Sequence, residues 1–452
     1  MFTDVTWQDW KASGDREALL LHAIDRYKGS RFFRCALDAA SYFRGENTAV
    51  GRKTVLRAKK IETRDEHGRR RLRTGTEDVV GNRIGSGFLF RFITQQNQFL
   101  LSGGCILEDP AHKAMLGEGF DHQLEHLGER ALVHGVSWGF WNADHLEIIE
   151  AARDPLSGFF PLMDEMTGCI RLGVQFWQLP GDRPMYVRLF EEDGVTVLRR
   201  DGASLAAAVP KRAYVLRVRR DALGEELVAQ ENWSSLPIIP LWANSEHQSE
   251  LTPAIKAKID AYDHILSDFA DNLDRANDVY WVLNNFGGTT DDIARMLEEI
   301  NRIKAVANLS DGTGSSATAE PHTIEVPYAA RETALRLLEK ALYRDYMALD
   351  FDALTGGSLT NVAIRAATAA LHLKADRYEW QVFRFVQQLL ALLGVKTQSI
   401  RFQRQCIANE SETVSDIYAM RQDIDRRTAL KLNPYIQPEE IDALTEAPCE
   451  SD

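Results

Sequence analysis

Residues 251–283 read LTPAIKAKIDAYDHILSDFADNLDRANDVYWVL, and the pattern stops at Gly287-Gly288. Apolar positions recur along this stretch at alternating spacings of four and three residues, which is a period of 3.5. That period predicts a helix of about nine turns, roughly 45 to 50 Å long, with a single apolar seam. Because such a seam is stable only when it is covered, we expect it to pack against another helix. The seam consists of Ile255, Ile259, Tyr262, Leu266, Phe269, Leu273, Ala276 and Tyr280.

The other faces of this stretch are acidic. Its aspartates outnumber its basic residues by three, so the helix is expected to carry a formal charge of −3 on its solvated surface. The charged residues are Asp260, Asp263, Asp268, Asp271, Asp274 and Asp278, with Lys256, Lys258 and Arg275.

The composition is that of a folded protein. The chain has 452 residues, of which 44% are hydrophobic and 26% are charged, and this length favours two to four structural units. The 53 Lys and Arg residues stand against 66 Asp and Glu residues, which gives a formal net charge of −13. This balance argues against a protein that grips nucleic acid by neutralising its phosphates, but it does not exclude one that must let nucleic acid slide.

The cysteines and the N-terminus indicate where the protein assembles. The five cysteines form no CxxC motif and no close pair, which is typical of a reducing compartment and argues against a zinc ribbon or a disulfide scaffold. The N-terminus lacks the pattern of a signal peptide, and no run of 18 apolar residues occurs. We therefore expect assembly in the cytosol without membrane contact.

Periodicity along the chain predicts an α+β fold that is predominantly helical. Residues 158–240 alternate apolar and polar positions, as antiparallel strands do, and the two prolines of LPIIPLWAN (236–244) suit an edge strand or a linker. A strand at SIRFQRQC (399–406) and two short helices are expected after the last long helix. Helical periodicity occupies residues 6–46, 82–101, 111–134, 328–349 and 360–393.

Residues 52–73 form a basic segment with two interpretations. The segment contains ten Lys or Arg residues against three acidic residues. One interpretation is a solvated hairpin or loop. The other is a patch that meets a nucleic acid or an acidic partner.

One motif could serve an enzyme. HQLEH, residues 122–126, has the HxxEH spacing of a zinc hydrolase in which His122 and His126 bind the metal and Glu125 acts as the base. A third ligand is not evident, and the apolar stripe Leu116, Phe120, Leu124, Leu127 and Ala131 predicts that both histidines point to solvent. Phosphate loops, nucleophile elbows and dinucleotide fingerprints do not occur. We predict no catalytic residue, no cofactor and no metal, and keep a zinc-dependent hydrolase as the alternative.

The stretch PIIPLWANSEHQSELTPAIKAKIDAYDHILSDFADNLDRANDVYWVLNNFGG (237–288) resembles the portal proteins of tailed bacteriophages, in the branch typified by a long-tailed Bacillus phage. That family has a proline-containing apolar strand, Asn-x-Glu, and IDAYDxxLSDFANxL running into Gly-Gly, in this order. IEVPYAARETALRLLEKALY (324–343) is similar to the family's second stem helix. GGSLTNVAIRAATAALHLKA (356–375) is similar to its loop-to-helix segment, where members usually read SGVALK. YFRGENTAVGR (42–52) and GNRIGSGFLFRFITQQNQFLLSG (81–103) resemble its N-terminal region.

The resemblance implies a portal-type subunit that assembles into a ring, usually of twelve copies, around a central channel for double-stranded DNA at one capsid vertex. The implied partners are the terminase large subunit, the head-tail adaptor, the major capsid protein and the scaffold. The implied location is the virion, after assembly in the host cytoplasm. The implied regions are a wing (1–250), a first stem helix (251–283), a clip (284–326), a second stem helix (327–349), a tunnel loop (350–360), a long wing helix (361–395) and a crown (396–452).

The resemblance also assigns residues to the channel. The segment 350–360 contains no Lys or Arg, and its glycines leave the backbone free to adapt to a duplex. The implied channel residues are Asp352, Leu354, Thr355, Gly356, Gly357, Ser358, Leu359 and Thr360. Besides the portal and the hydrolase, a third hypothesis is a helical scaffold or adaptor without a role at DNA.

Overall fold

The computed structural model of this chain describes residues 2–64, 70–202, 204–221, 224–276, 280–284, 318–322, 328–353, 360–396, 399–404, 409–420, 423–437 and 440–446. The chain divides into two units. Unit 1 comprises Met1–Arg44, Gly87–Ile255 and Tyr343–Asp452, and unit 2 comprises Gly45–Ser86 and Lys256–Leu342. Helices and strands are both present, which confirms the α+β class.

Small polar residues determine where the helices begin. Thr6 and Asp9 form a capping box at the first helix, and the Ser30 side chain accepts from the Phe33 amide at the third. The described helices are α1 (Trp7–Ala12), α2 (Arg16–Gly29), α3 (Arg31–Phe43), α4 (Thr48–Gly51), α5 (Phe88–Leu101), α6 (Pro110–Met115), α7 (Phe120–His134), α8 (Pro253–Ala276), α9 (Tyr328–Tyr346), α10 (Asn361–Leu392), α11 (Glu410–Ala419), α12 (Arg426–Leu432) and α13 (Ile441–Glu446).

The strands concentrate between residues 136 and 242, where the sequence alternates apolar and polar positions. The described strands are β1 (Thr54–Arg64), β2 (Arg70–Val80), β3 (Cys105–Leu107), β4 (Val136–Asn142), β5 (His145–Glu150), β6 (Ala152–Asp154), β7 (Ser157–Met163), β8 (Ile170–Gln178), β9 (Met185–Glu191), β10 (Gly194–Asp201), β11 (Ser204–Arg212), β12 (Val215–Asp221), β13 (Gly224–Glu231), β14 (Ile238–Trp242), β15 (Tyr280–Asn284), β16 (Thr318–His322) and β17 (Ile400–Phe402). The predicted antiparallel section is therefore confirmed.

Unit 1 contains a six-stranded antiparallel meander in the order β11-β10-β9-β8-β7-β6. Val174 of β8 pairs with Leu189 of β9, and both side chains are buried because alternate residues of each strand face the core. Tyr27 of α2 lies in the same core, with its ring 4.8 Å from that of Phe160 and its hydroxyl donating to the Ala151 carbonyl at 2.9 Å. The helices α2 and α3 thus share a core with this sheet.

A second, three-stranded sheet of unit 1 has the order β14-β4-β5. β14 lies at its edge and contains Pro240, opposite Trp138 of β4. Proline cannot donate to a strand ladder, so its place in an edge strand agrees with the expectation for residues 236–244. The long helix α10 begins where the Thr360 hydroxyl accepts from the Ala363 amide, and ends at Leu392, two residues before Gly394, whose φ is +78°.

Unit 2 contains the β1-β2 hairpin, the residues that follow it, and most of α8 and α9. The hairpin register runs from Thr54 opposite Val80 to Arg64 opposite Arg70. The basic segment 52–73 therefore includes a strand of a hairpin, as its first interpretation expected. β15 and β16 also pair antiparallel, and the interval between them, residues 285–317, lies outside the described residues.

Several predicted boundaries were wrong. The helix expected over 82–101 begins only at Phe88, because the main chain of residues 82–86 bonds to side chains of α8. The helix expected over 111–134 is two helices, interrupted at Gly117, whose φ is +82°. The helix expected over 6–46 is three helices, with Ser30 between the second and third. The strand expected over 399–406 spans only β17 among the described residues.

No helix of the described chain is both long and apolar enough to cross a bilayer.

Candidate functional site

One buried row of side chains on α8 in unit 2 is polar. Asp263 and Ser267 have no exposed surface, and Asp271 is 8% exposed. Residues four apart lie on one side of a helix, so these three groups form a single row. The prediction that all aspartates of this helix lie on a solvated surface was therefore wrong for Asp263 and Asp271.

Asp263 binds main-chain and amide donors and no cation among the described residues. One carboxylate oxygen accepts from the Ser86 amide at 2.9 Å, and the other accepts a short hydrogen bond from the Asn47 side chain. The Asn47 amide also donates to the Ser86 carbonyl at 3.1 Å. Burial raises the pKa of Asp263, and the hydrogen bonds from Ser86 and Asn47 oppose that shift.

Ser267 and Asp271 continue the row. The Ile84 amide donates to the Ser267 hydroxyl at 3.0 Å, and that hydroxyl donates to the Ile84 carbonyl at 3.4 Å. Asp271 accepts from the Asn82 main-chain and side-chain amides at 2.7 and 2.9 Å. Its other oxygen lies 2.6 Å from the Lys53 ammonium, which is also 2.7 Å from Asp268. The three side chains thus hold residues 82–86 against α8.

Nearby charge explains why the pKa of Asp271 shifts in the opposite direction from the pKa of Asp263. Burial acts to raise the pKa of Asp271, but the bonds from Lys53 and Asn82 outweigh it, so this pKa lies below its usual value. The pKa of Lys53 is raised by the same pairing. Burial acts to lower its pKa, while hydrogen bonds and charge from Asp268 and Asp271 raise it overall.

The predicted apolar seam is covered at one end only. Ile255 and Ile259 are 4% and 1% exposed, Tyr262, Leu266 and Phe269 are half-buried, and Leu273 is 41% exposed. The Phe269 ring lies 5.7 Å from that of Tyr328 in α9, so the two predicted stem helices touch within unit 2. The helix ends at Ala276 and Tyr280 belongs to β15, so the expectation of one helix through residue 283 was wrong.

In unit 1, α9 ends in a Schellman motif. The Met347 amide donates to the Arg344 carbonyl at 3.2 Å, and the Ala348 amide donates to the Tyr343 carbonyl at 3.0 Å. Met347 has a φ of +65°, a left-handed conformation that glycine usually supplies at this position. The motif turns the chain sharply just before the segment 350–360.

Side chains from α5 and α10 anchor this turn. Gln95 accepts from the Leu349 amide at 2.8 Å and donates to the Leu349 carbonyl at 3.1 Å. Lys374 donates to the Tyr346 carbonyl at 2.9 Å and lies 2.7 Å from the Glu250 carboxylate. A cation at the last carbonyls of a helix also opposes the negative end of the helix dipole. Burial lowers the pKa of Lys374, and the Glu250 charge opposes that shift.

The far end of segment 350–360 is anchored separately. The Asn361 main-chain amide donates to the Glu412 carboxylate of α11 at 2.6 Å. The Asn361 side-chain oxygen accepts from the Asn409 main-chain amide at 2.8 Å. Of the predicted channel residues, Asp352 lies in a 3₁₀ turn (Phe351–Ala353) and Thr360 caps α10. The others, Leu354, Thr355, Gly356, Gly357, Ser358 and Leu359, lie outside the described residues.

The HxxEH motif lies on α7 as expected, with His122 and His126 exposed and the apolar stripe buried. The Arg130 guanidinium donates to the His126 Nε2 atom at 3.3 Å, and Glu125 accepts from Gln98. Within the described ranges, no group of three His, Cys, Asp or Glu side chains is placed to hold a metal ion. These contacts support the solvated-face interpretation.

Sequence reasoning missed the residues that anchor other segments: Asn47, Asn82, Gln95, Glu250 and Lys374. Each acts on main-chain or charged groups that are remote in sequence, so no local pattern marks it. The one available signal was the spacing of Asp263, Ser267 and Asp271, which repeats every four residues beside the seam.

Comparison with known proteins identifies the class of protein to which these elements belong. Residues 109–448 match the family model described as "Phage portal protein, SPP1 Gp6-like". The chain therefore belongs to the SPP1-type family of phage portal proteins, whose members are structural components of the capsid.

Two curated relatives carry the name portal protein. The chain is 29% identical over 196 residues to the portal protein of Clostridium phage phiCD119, a match that covers 42% of this chain and 43% of the relative. It is 29% identical over 225 residues to the portal protein of Bacillus phage SPP1, covering 46% of this chain and 43% of the relative. The matches thus span less than half the length of either relative.

Proposed function

We propose that this protein assembles with copies of itself into a ring of twelve subunits, through which double-stranded DNA enters and leaves a capsid at one vertex. The observation that carries the proposal is the family match over residues 109–448. The partly exposed seam of α8 supports it, because Phe269 and Leu273 lack full cover from the described part of the chain. A neighbouring subunit would supply that cover.

The charges suit passage of DNA and oppose its retention. Each copy carries a formal −13, and the segment 350–360 has two aspartates near its start and no Lys or Arg. Repeated cationic contacts around a ring would bind a duplex through many released counterions, and such a channel would hold its genome. A channel with mostly acidic walls lets a duplex slide.

We assign the regions from the family resemblance together with the described elements. Residues 1–250 and the long helix of residues 361–395 would form the wing, residues 251–283 and 327–349 the two stem segments that contain α8 and α9, and residues 284–326 the clip. The segment 350–360 would be the tunnel loop, and residues 396–452 the crown. The clip would face the terminase large subunit and later the head-tail adaptor. The wing would meet the major capsid protein and the scaffold during assembly in the host cytoplasm.

Electron microscopy of the purified protein tests the proposal. Negative-stain images should show rings with a central hole, and mass photometry should give one dominant species with the mass of about twelve subunits. A species that remains monomeric or dimeric at high protein concentration, with no hole, would contradict the proposal and favour an adaptor or scaffold protein.

A further inference from the structure

A small cavity in the β section of unit 1 has a composition that the channel role does not explain. Its volume is about 210 Å³, and it lies where β4 and β5 approach β9, β10 and β11. Phe140, Phe190, Val195 and Val197 provide apolar walls. Arg188 and Arg212 provide two positive charges.

The other side-chain donors of the cavity already have partners within the chain. The Asn142 amide donates to Glu147 at 2.7 Å, and Glu147 also lies 3.5 Å from the His145 Nε2 atom. The Tyr214 hydroxyl donates to the Glu191 carbonyl at 2.6 Å. The two arginines are therefore the groups that remain to bind a ligand.

Arg188 is half-buried and lacks a close anion. Burial lowers its pKa, Glu147 at longer range raises it, and the like charge of Arg212 lowers it again. No hydrogen bond and no carboxylate within ion-pair distance reaches the Arg188 guanidinium from the described residues. Its neighbours are the rings of Trp177 and Phe190, whose centroids lie 5.8 and 5.7 Å away.

An arginine in this setting is costly unless something outside the subunit pairs with it. Partly desolvating a charge is unfavourable when it is not paired, and a guanidinium carries five N–H donors in a planar fork. That fork matches the two oxygens of a carboxylate, and the bidentate bonds so formed are stronger than neutral hydrogen bonds. The aromatic neighbours stabilise the cation without satisfying those donors.

We propose that this cavity binds the carboxylate of a glutamate or aspartate side chain presented by another protein. The apolar walls would take the methylene groups of that side chain, and Arg188 would bind its two oxygens. Arg212, which is more exposed, would add a second charge at the rim. The narrow cavity admits one flexible side chain, whereas the phosphates of a duplex lie on a wide rigid surface that contacts protruding side chains.

Ligand-observed saturation-transfer NMR tests this assignment on the full chain. The probes are two capped tripeptides, acetyl-Gly-Glu-Gly-amide and acetyl-Gly-Gln-Gly-amide. They differ only in whether the central side chain ends in a charged carboxylate or a neutral amide. We expect transfer to the glutamate peptide and tenfold or more weaker binding of the glutamine peptide. Inorganic phosphate and a short DNA duplex, added as competitors at equal concentration, should not displace the glutamate peptide.

Variants locate the binding. Arg188→Met should weaken binding of the glutamate peptide by tenfold or more. Arg212→Gln, at an exposed position where substitution should not disturb the fold, should weaken it by about threefold to tenfold. Arg199→Met removes an exposed arginine of β10 that does not line the cavity, and should leave binding unchanged.

Three results would overturn the proposal. Equal binding of both peptides would show that charge is not recognised. Displacement by phosphate or DNA would identify a phosphate site. Loss of self-association in both Arg188→Met and Arg212→Gln, with no peptide binding by the unchanged protein, would show that a second copy of this chain fills the cavity and that a different protein does not. None of these results depends on whether the ring conducts DNA, so the portal role can stand or fall separately.

Discussion

At the scale of single residues, the ends of α9 and α10 use the same motif with different residues. In α10, the Gly394 amide donates to the Ala391 carbonyl and the Val395 amide donates to the Leu390 carbonyl, with the left-handed position filled by glycine. In α9 the equivalent position is Met347, at φ +65°. A side chain in this conformation costs roughly 1 kcal/mol, so strain is stored beside the segment 350–360.

Replacing Met347 with glycine should therefore stabilise unit 1. We expect the free energy of unfolding to rise by about 0.5 to 1 kcal/mol, because the strain is removed and the half-buried methionine contributes little. Denaturant unfolding measures the change. Gly394→Ala is the matched control and should lower the same quantity by about 1 kcal/mol. A loss of stability in Met347→Gly would mean that packing of the methionine outweighs its strain.

His134 gives a prediction about acid stability. The His134 side chain has no exposed surface, its ring nitrogens have no hydrogen-bond partner among the described residues, and burial lowers its pKa to about 3. The 4.0 Å approach of Glu150 is therefore not an ion pair at neutral pH. The unfolded chain binds this proton near pH 6.5 and the folded chain does not, so stability falls as the pH drops from 6.5 towards 3.

His134→Met should remove the loss of stability at acid pH that His134 causes. Relative to the unchanged protein, the variant should gain about 2 kcal/mol in unfolding free energy between pH 7 and pH 5, because methionine has no proton to bind. Denaturant unfolding at the two pH values measures it. His126→Met changes an exposed histidine of the same helix and should show no comparable gain. Parallel pH profiles for the unchanged protein and His134→Met would show that His134 takes up a proton without unfolding.

At the scale of elements, α8 is held by its polar row. Asp263→Asn keeps the size of the side chain but turns an amide group towards either Ser86 or Asn47, both of which donate to the carboxylate now. We expect a loss of about 1 to 3 kcal/mol, since a buried donor would lose its acceptor. Hydrogen exchange of the Ser86 amide should become faster.

Asp260→Asn is the control for that prediction. Asp260 is a partly exposed neighbour that pairs with Lys256 four residues earlier, at 3.2 Å. Such a pair contributes about 0.3 to 0.5 kcal/mol, so its loss should barely change unfolding. Equal effects of the two substitutions would indicate that the polar row does not hold residues 82–86.

The sequence allowed α8 to be located but not oriented. A period of 3.5 identifies a helix and its apolar seam whatever the helix packs against. An aspartate in solvent and one that accepts a hydrogen bond from a main-chain amide look the same in a sequence. The hydrogen-bond partners of Asp263 lie 177 and 216 positions away. The missed start of α5 has the same cause, because residues 82–86 form their hydrogen bonds with a remote helix. The antiparallel section was predictable because its pairing is between neighbouring strands.

The site was less predictable than the fold. Resemblance to a family indicates which segment would reach a channel, but the residues that fix its ends belong to α5, α10 and α11. Gln95 bonds to Leu349 across 254 positions, and a lone glutamine within a helix carries no mark of that role. Anchors of this kind become visible only when the chain is folded.

At the scale of the whole molecule, the exposed end of the seam gives a test of assembly. Phe269→Asp together with Leu273→Asp would place two charges where a neighbouring subunit is expected, and an unpaired charge in an interface is costly. We expect single subunits in place of rings in mass photometry. Met166→Asp alters an apolar side chain that is 89% exposed, outside the seam, and should leave rings intact. Rings formed by the double variant would show that another surface joins the subunits.

The bonds between residues 45–86 and α8 also affect how the protein is made. Asn47 leaves the ribosome 216 residues before Asp263, the carboxylate to which it bonds. At typical rates of translation this interval lasts roughly 10 to 40 seconds, far longer than the time in which a hairpin forms. During that interval the amides of residues 82–86 have no acceptor from α8, so unit 2 can mature only after most of the polypeptide has been synthesised. A nascent chain stalled before residue 253 should therefore show β1-β2 without the protection of Ser86 that the finished protein has.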